Sequence, residues 1–185
     1  LHPDINDSKK LKSSKRREIM LSLKNFVNYS SAVASVKEID TYGLSFANSI
    51  AMKRCIFSLI QRFNNKGINI NKKFCIYIDG KYKPNLTSLD EFLKTKKLKL
   101  KENSVKTLIK GDSLSKTIAL AGIISKENRD TIMRHLSIQC PSYFFDKHYG
   151  YGTVKHRQAI QQNGISQFHR KSFKPIATIY SKIEL

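Results

Sequence analysis

Acidic residues are in short supply in this chain. Its 185 residues include 34 lysines and arginines against 14 aspartates and glutamates, a formal net charge of +20. That imbalance predicts long-range attraction to a polyanion, with nucleic acid first and an anionic membrane surface second, against the alternative of a Lys-rich solvated surface. Cysteine is scarce as well. Cys55, Cys75 and Cys140 show no Cys-x-x-Cys spacing and make an odd count. This excludes a disulfide framework or zinc site and reads as reduced, mostly buried thiols of a cytosolic protein. No run approaches the ~20 apolar residues of a membrane-crossing helix. Leu1-His2-Pro3-Asp4 has neither the basic start nor the apolar run of a signal peptide. The absence of an initiating Met reads as a truncated or processed start. There is no internal repeat, no Gly-rich phosphate loop and no nucleophile elbow, so solenoids, P-loop enzymes and α/β-hydrolases drop out.

What remains is enough for one domain, or one domain with an appendage; 40% of residues are hydrophobic, above the disordered range. Lys9 to Phe26 reads as a helix capped at Ser13 or Ser14, with Ile19, Leu23 and Phe26 on one face. Ser30 to Val36 is small and β-branched and reads as a strand. A long helix follows from about Leu44 to Phe63, its Ala47, Ala51, Cys55 and Leu59 facing inward and Gly67 as its C-cap. Phe74 to Ile78 is a continuous apolar run, suited to a strand buried on both faces. Ser88 to Lys94 reads as a short helix and Val105 to Ile109 as a second buried strand. Ser115 to about Ser137 is helical, and Pro141 marks its stop. Thr153 caps a short helix closed by Gly164. This alternation predicts an α/β fold.

Asp79 and Asp112 stand at the ends of the two apolar strands. If those strands are neighbours, both carboxylates leave the same sheet edge, where open α/β sheets place their sites. Close carboxylates repel, and a divalent cation relieves the repulsion. Oxygen-only ligands suit magnesium or manganese. Such a site on a basic surface fits phosphodiester cleavage. Asp79-Gly80 and Gly111-Asp112 also read as ordinary turns, and spacing alone favours the turns.

A set of motifs narrows the choice. Asp7-Ser8-Lys9-Lys10-Leu11, Glu38-Ile39-Asp40, Ile78-Asp79-Gly80 and Lys110-Gly111-Asp112-Ser113 occur in that order. Ile123 to Asp130 (I-I-S-K-E-N-R-D), His148 to Thr153 (H-Y-G-Y-G-T), His156 and His169-Arg170-Lys171-Ser172-Phe173 follow. The ordered set resembles ribonuclease HII from about Ile5 to Pro175. The resemblance implies a ribonuclease H-like mixed sheet flanked by helices. Residues 1–140 would form the catalytic domain and 141–185 a C-terminal substrate-binding helical region of it.

It further implies a cytoplasmic, monomeric endoribonuclease that does not bind membranes. Its partners would be RNA–DNA hybrid duplexes and DNA containing ribonucleotides, cut to 5′-phosphate and 3′-hydroxyl ends. Asp79 and Asp112 would bind Mg2+ or Mn2+. Tyr151 would pack on the sugar at the RNA–DNA junction, and Ser8, Lys9 and Lys126 would contact the nucleic-acid backbone. Asp130 falls on a family aspartate but reads as a structural partner of Arg129, outside the metal shell. His148, His156 and His169 read either as phosphate contacts or as buried structural histidines.

The chain departs from the family pattern at three places. The family's opening Asp-Glu-x-Gly-Arg-Gly segment and the first two strands of its sheet have no counterpart here, so these 185 residues alone are expected to be inactive and aggregation-prone. Lys94, Lys96, Lys97, Lys99 and Lys101 lengthen the Asp79–Asp112 interval, as a phosphate-contacting arm or a solvated loop. Gly122 stands inside a helix where the family has serine. The competing readings are a non-catalytic basic nucleic-acid-binding protein and a decayed paralogue.

Overall fold

A computed structural model describes residues 2–68, 73–85, 91, 93–95, 99–174 and 176–180. The helices are α1 (Ser13–Leu23), α2 (Val36–Asn65), α3 (Gly111–Leu114), α4 (Lys116–Gln139), α5 (Phe145–His148), α6 (Val154–Asn163) and α7 (Ile176–Tyr180). The strands are β1 (Lys73–Asp79) and β2 (Lys99–Leu108), which pair in parallel. No helix among the described residues is long and apolar enough to cross a membrane.

The chain packs as two compact units. The first comprises residues 1–33 and 48–127, the second residues 34–47 and 128–185. The boundary expected between residues 140 and 141 lies inside the second unit. Met133 and Leu136 of α4 and Cys140 pack against the cluster of Tyr143, Phe145, Ala159, Ile160 and Ile176, so the end of α4 belongs to the second unit.

In the first unit Ile5, Ile19, Ala119, Leu120, Ile123 and Ile124 form one core cluster. Ile19 is fully buried, a burial that stabilises by roughly 1.5–3 kcal/mol. Leu23 packs on this cluster, but Phe26 lies beyond the helix end and is 82% exposed, against the expected single face. α1 begins at Ser13 without a side-chain cap. The Ser13 hydroxyl donates instead to Glu127 Oε2 at 3.3 Å. That carboxylate is buried and also pairs with Arg16 Nε (3.5 Å) and Arg17 Nη2 (3.4 Å).

Ser30–Val36 is not a strand. Among the described residues it has no ladder partner, and Val36 already belongs to α2. Ser35 Oγ accepts the Glu38 N–H at 3.2 Å while Glu38 Oε2 accepts the Ser35 N–H at 2.9 Å. This reciprocal capping box starts a helix there. The preceding carbonyls are satisfied by α2 side chains: Arg62 donates to Tyr29 O, Cys55 to Ser30 O and Arg54 to Val33 O. α2 breaks at Gly43 (φ 78°, ψ 162°), so the helix expected from Leu44 is preceded by a shorter one. Its far end closes as expected, with Gly67 left-handed and the Ile68 N–H reaching Phe63 O.

β1 is buried on one face only. Phe74 and Ile76 pack on the Ile60–Leu93 cluster. Cys75 and Tyr77, pointing the other way in the pleat, are exposed. β2 begins at Lys99, earlier than the expected Val105, because the alternating Lys-Leu run has strand periodicity. Phe74 pairs with Leu100 and Ile76 with Val105, so residues 101–104 bulge out of register. Lys96 and Lys97, like most of the helix expected from Ser88, lie outside the described residues.

Candidate active site

β1 ends at Asp79, whose register partner is Leu108, the last residue of β2. The ladder continues one step further, with the Gly80 N–H donating to Leu108 O at 2.8 Å. The chain then turns sharply through Lys110, a non-glycine residue in the left-handed region (φ 55°, ψ 39°), into α3. There the Gly111 N–H donates to Asp79 Oδ1 at 2.8 Å. Asp112 is the next residue. Two parallel strands that end level, at Asp79 and Leu108, thus deliver both carboxylates to one edge, as expected.

Gly111 makes this approach possible. A Cβ there would lie 3.0 Å from Ile118 Cδ1, 3.2 Å from Leu108 Cβ and 3.3 Å from Asp79 Oδ1. Any larger residue would push on the bond that links the two strand ends. In a chain of charge +20, neither Asp79 nor Asp112 makes an ion pair among the described residues. Carboxylate oxygens without ion-pair partners at adjoining strand ends, Asp79 exposed and Asp112 half-buried, fit a hard divalent cation. They supply only part of a ligand shell: no group of three His, Cys, Asp or Glu able to hold a metal forms among the described residues.

Two of the other first-unit candidates, Ser8 and Lys126, lie along α4. A Cβ at Gly122 would stand 3.9 Å from Ser8 Oγ, and Lys126 is one helical turn further along. Lys9 is exposed, its N–H bonded to Asp7 Oδ1 at 2.9 Å in a short turn.

Tyr151 lies in the second unit and is 58% exposed. The Arg129 guanidinium carbon sits 5.0 Å from the Tyr151 ring centroid, and Arg129 Nη2 donates to Tyr149 O at 2.6 Å. Asp130 is buried beside Arg129, with Oδ1 3.9 Å from Arg129 Nη1. His148, His156 and His169 are buried and hydrogen-bonded to one another or to backbone, which answers the open reading in favour of structural histidines. Burial, with His156 beside it, holds His169 down to about 4. Burial lowers His156 in the same way.

A cavity of about 410 Å³ in this unit is lined by Arg129, Tyr151, Arg157, Arg170 and Phe173 among others. Burial and the charge of Arg129 lower the Arg170 guanidinium's pKa, the mark of cations crowded together. No residue spacing signals Arg129 beneath Tyr151, because that contact spans a turn whose path spacing does not encode.

Comparison with known proteins decides what this arrangement belongs to. The family model described as Ribonuclease HII matches residues 2–176. The chain belongs to the ribonuclease HII family. It is by family a type 2 ribonuclease H, a hydrolase. The ribonuclease HII of Zymomonas mobilis is 36% identical over 182 residues, covering 97% of this chain and 74% of the relative. That of Anaplasma marginale is 34% identical, covering 98% of this chain and 65% of the relative. The Pseudothermotoga lettingae protein is 37% identical over 94% of this chain and 66% of its own length. The chain thus spans about two thirds to three quarters of these relatives.

Ribonuclease H2 of Pyrococcus horikoshii superposes with a TM-score of 0.60 at 19% identity, over 98% of this chain and 82% of that one. Ribonuclease HII of Archaeoglobus fulgidus, solved in complex with PCNA, gives 0.58 at 18% identity, over 92% and 78%. These two support the α/β, ribonuclease H-like fold.

Proposed function

We propose that this chain carries part of the catalytic centre of an endoribonuclease. Its substrates are the RNA strand of RNA–DNA hybrids and ribonucleotides embedded in DNA. The observation that carries the reading is the Asp79–Gly111 hydrogen bond, which seats two carboxylates without ion-pair partners at adjoining strand ends of a strongly basic chain. Asp79 and Asp112 hold Mg2+ or Mn2+ together with further oxygen ligands. Divalent ions bound there supply an activated water and charge stabilisation at the leaving oxygen. The products carry 5′-phosphate and 3′-hydroxyl ends.

The remaining residues bind and orient. Lys9 and Lys126 offer ammonium groups to backbone phosphates, with the Ser8 hydroxyl nearby; such contacts set register rather than read sequence. Tyr151 offers an exposed aromatic face to the sugar at the RNA–DNA junction. Two carboxylates do not complete a metal shell, so the 185 residues alone bind duplex without cutting it.

The test uses a DNA duplex carrying one ribonucleotide, in Mg2+ and then Mn2+. It compares the 185-residue chain with a version preceded by the family's Asp-Glu-x-Gly-Arg-Gly segment. Divalent-dependent cleavage by the extended version supports the proposal. Cleavage in the presence of a chelator, or none by a folded extended version, contradicts it.

A further inference from the structure

The loop bearing Tyr151 is held by three buried rings that the proposed chemistry does not use. Hydrogen-bond accounting fixes the proton on each. Tyr143 O can only accept, so His148 Nε2 donates to it at 2.8 Å, and His148 Nδ1 accepts the Gly150 N–H at 3.1 Å. Tyr151 O can only accept, so His156 Nδ1 donates to it at 3.0 Å. The Ser166 N–H can only donate, so His169 Nδ1 accepts it at 3.0 Å. His169 Nε2 then bears the proton that it gives to His156 Nε2, 3.1 Å away. The result is a one-way relay: Ser166 N–H to His169, His169 to His156, His156 to the Tyr151 carbonyl.

At His156 and His148 a further proton meets only donors, whereas at His169 Nδ1 the Ser166 hydroxyl lies 2.8 Å away and either atom can donate. A proton added at His156 Nε2 would face the His169 N–H, and one at His148 Nδ1 would face the Gly150 N–H. His148 and His156 stack with centroids 4.2 Å apart and planes 16° apart, and Phe145 meets both edge-on. Arg129 holds the same loop from the other side, through Tyr149 O and the Tyr151 ring. The loop needs such bracing because Tyr149 (φ 50°) and Gly150 (φ 77°) are both in the left-handed region, a conformation costly for tyrosine.

We propose that His156 and His169 are positioning residues. Their neutral relay holds the Tyr151 carbonyl and thereby fixes the Tyr151 ring as a preformed platform for the hybrid duplex. This rests on the reading of Tyr151 as a substrate contact. The histidines themselves touch no substrate and transfer no proton.

Two measurements on the full 185-residue chain test it. Long-range 1H–15N spectra at pH 7 are expected to show neutral rings, with the proton on Nδ1 of His156 and on Nε2 of His148 and His169. Any other tautomer at His156 or His169 overturns the relay, and this readout needs no variant to fold. The second measurement is RNA–DNA hybrid affinity by fluorescence anisotropy. His156→Leu removes the donor to Tyr151 O, whereas the amide of His156→Asn restores a donor at the Nδ1 position. Tyr151→Ala and His156→Leu are each expected to weaken binding by about tenfold. The double variant should be no weaker than Tyr151→Ala, and His156→Asn close to the unaltered chain. Weakening by Tyr151→Ala but not by His156→Leu overturns the positioning role alone. Unchanged binding by Tyr151→Ala overturns the reading of Tyr151 and the proposal with it.

Discussion

The Gly111 N–H donates to Asp79 Oδ1 across 2.8 Å. This one bond ties the end of β1 to the first turn after β2, and so fixes Asp79 beside Asp112. The two carboxylates owe their proximity to backbone, not to each other, since like charges alone would drift apart.

Gly111→Ala should therefore disturb the site at its hinge. The added methyl meets Ile118, Leu108 and Asp79 at 3.0–3.3 Å. Overpacking of this kind costs roughly 1–3 kcal/mol. Urea unfolding should show the midpoint fall, with the slope unchanged.

Glu127 is a buried anion of the first unit, 4% exposed, and Arg16 beside it is 6% exposed. Glu127→Ala leaves the Arg16 charge without this partner and should destabilise by about 3–5 kcal/mol. Arg17 is exposed, and Arg17→Ala should cost less than about 1 kcal/mol. Thermal melting of the two variants separates these outcomes.

Gly122 stands within α4 with open space around it, the nearest atom being Ser8 Oγ at 3.9 Å. Gly122→Ala should stabilise the chain by up to about 1 kcal/mol, the helix-propensity difference. A measured loss would mean that α4 needs the gap at this turn.

His169 titrates at about 4 in the folded chain, down from 6.5, because it is buried and beside His156. A depressed histidine binds fewer protons folded than unfolded, so its contribution is present above pH 6.5 and is lost as pH falls toward about 4. Unfolding free energy should drop by about 2 kcal/mol between pH 7 and pH 5. His156, lowered in the same sense, adds to the fall. Asp40 titrates in a lower window: burial raises its carboxyl, but hydrogen bonds from Ser172 and Lys171 overcome that and hold it below the usual range. A flat profile between pH 7 and pH 5 would contradict the neutral relay.

Much of this was legible in the residues. The apolar runs before Asp79 and Asp112, each ended by a glycine-containing turn, mark both strand-end carboxylates in the sequence. Thr153 and Gly164 bounded α6 correctly, as Gly67 did α2. Ser30–Val36 misled because small β-branched residues favour strands only where a ladder partner exists; the Ser35–Glu38 capping pattern was the better signal. Phe74–Ile78 misled because an unbroken apolar run does not say whether one face or both is covered. The Arg129–Tyr151 contact and the histidine relay stayed hidden. They depend on how left-handed turns at Tyr149 and Gly150 fold the loop back, and pairwise spacing does not record that.

The central claim is that Asp79 and Asp112 serve cleavage and not duplex binding. Asp79→Asn tests it most directly, since the amide oxygen can still accept the Gly111 N–H while the charge is gone. In a cleavage-competent version of the chain, the account predicts loss of ribonucleotide-directed cutting with hybrid affinity within about twofold of the parent. Equal loss of cutting and binding, or retained cutting, would contradict it.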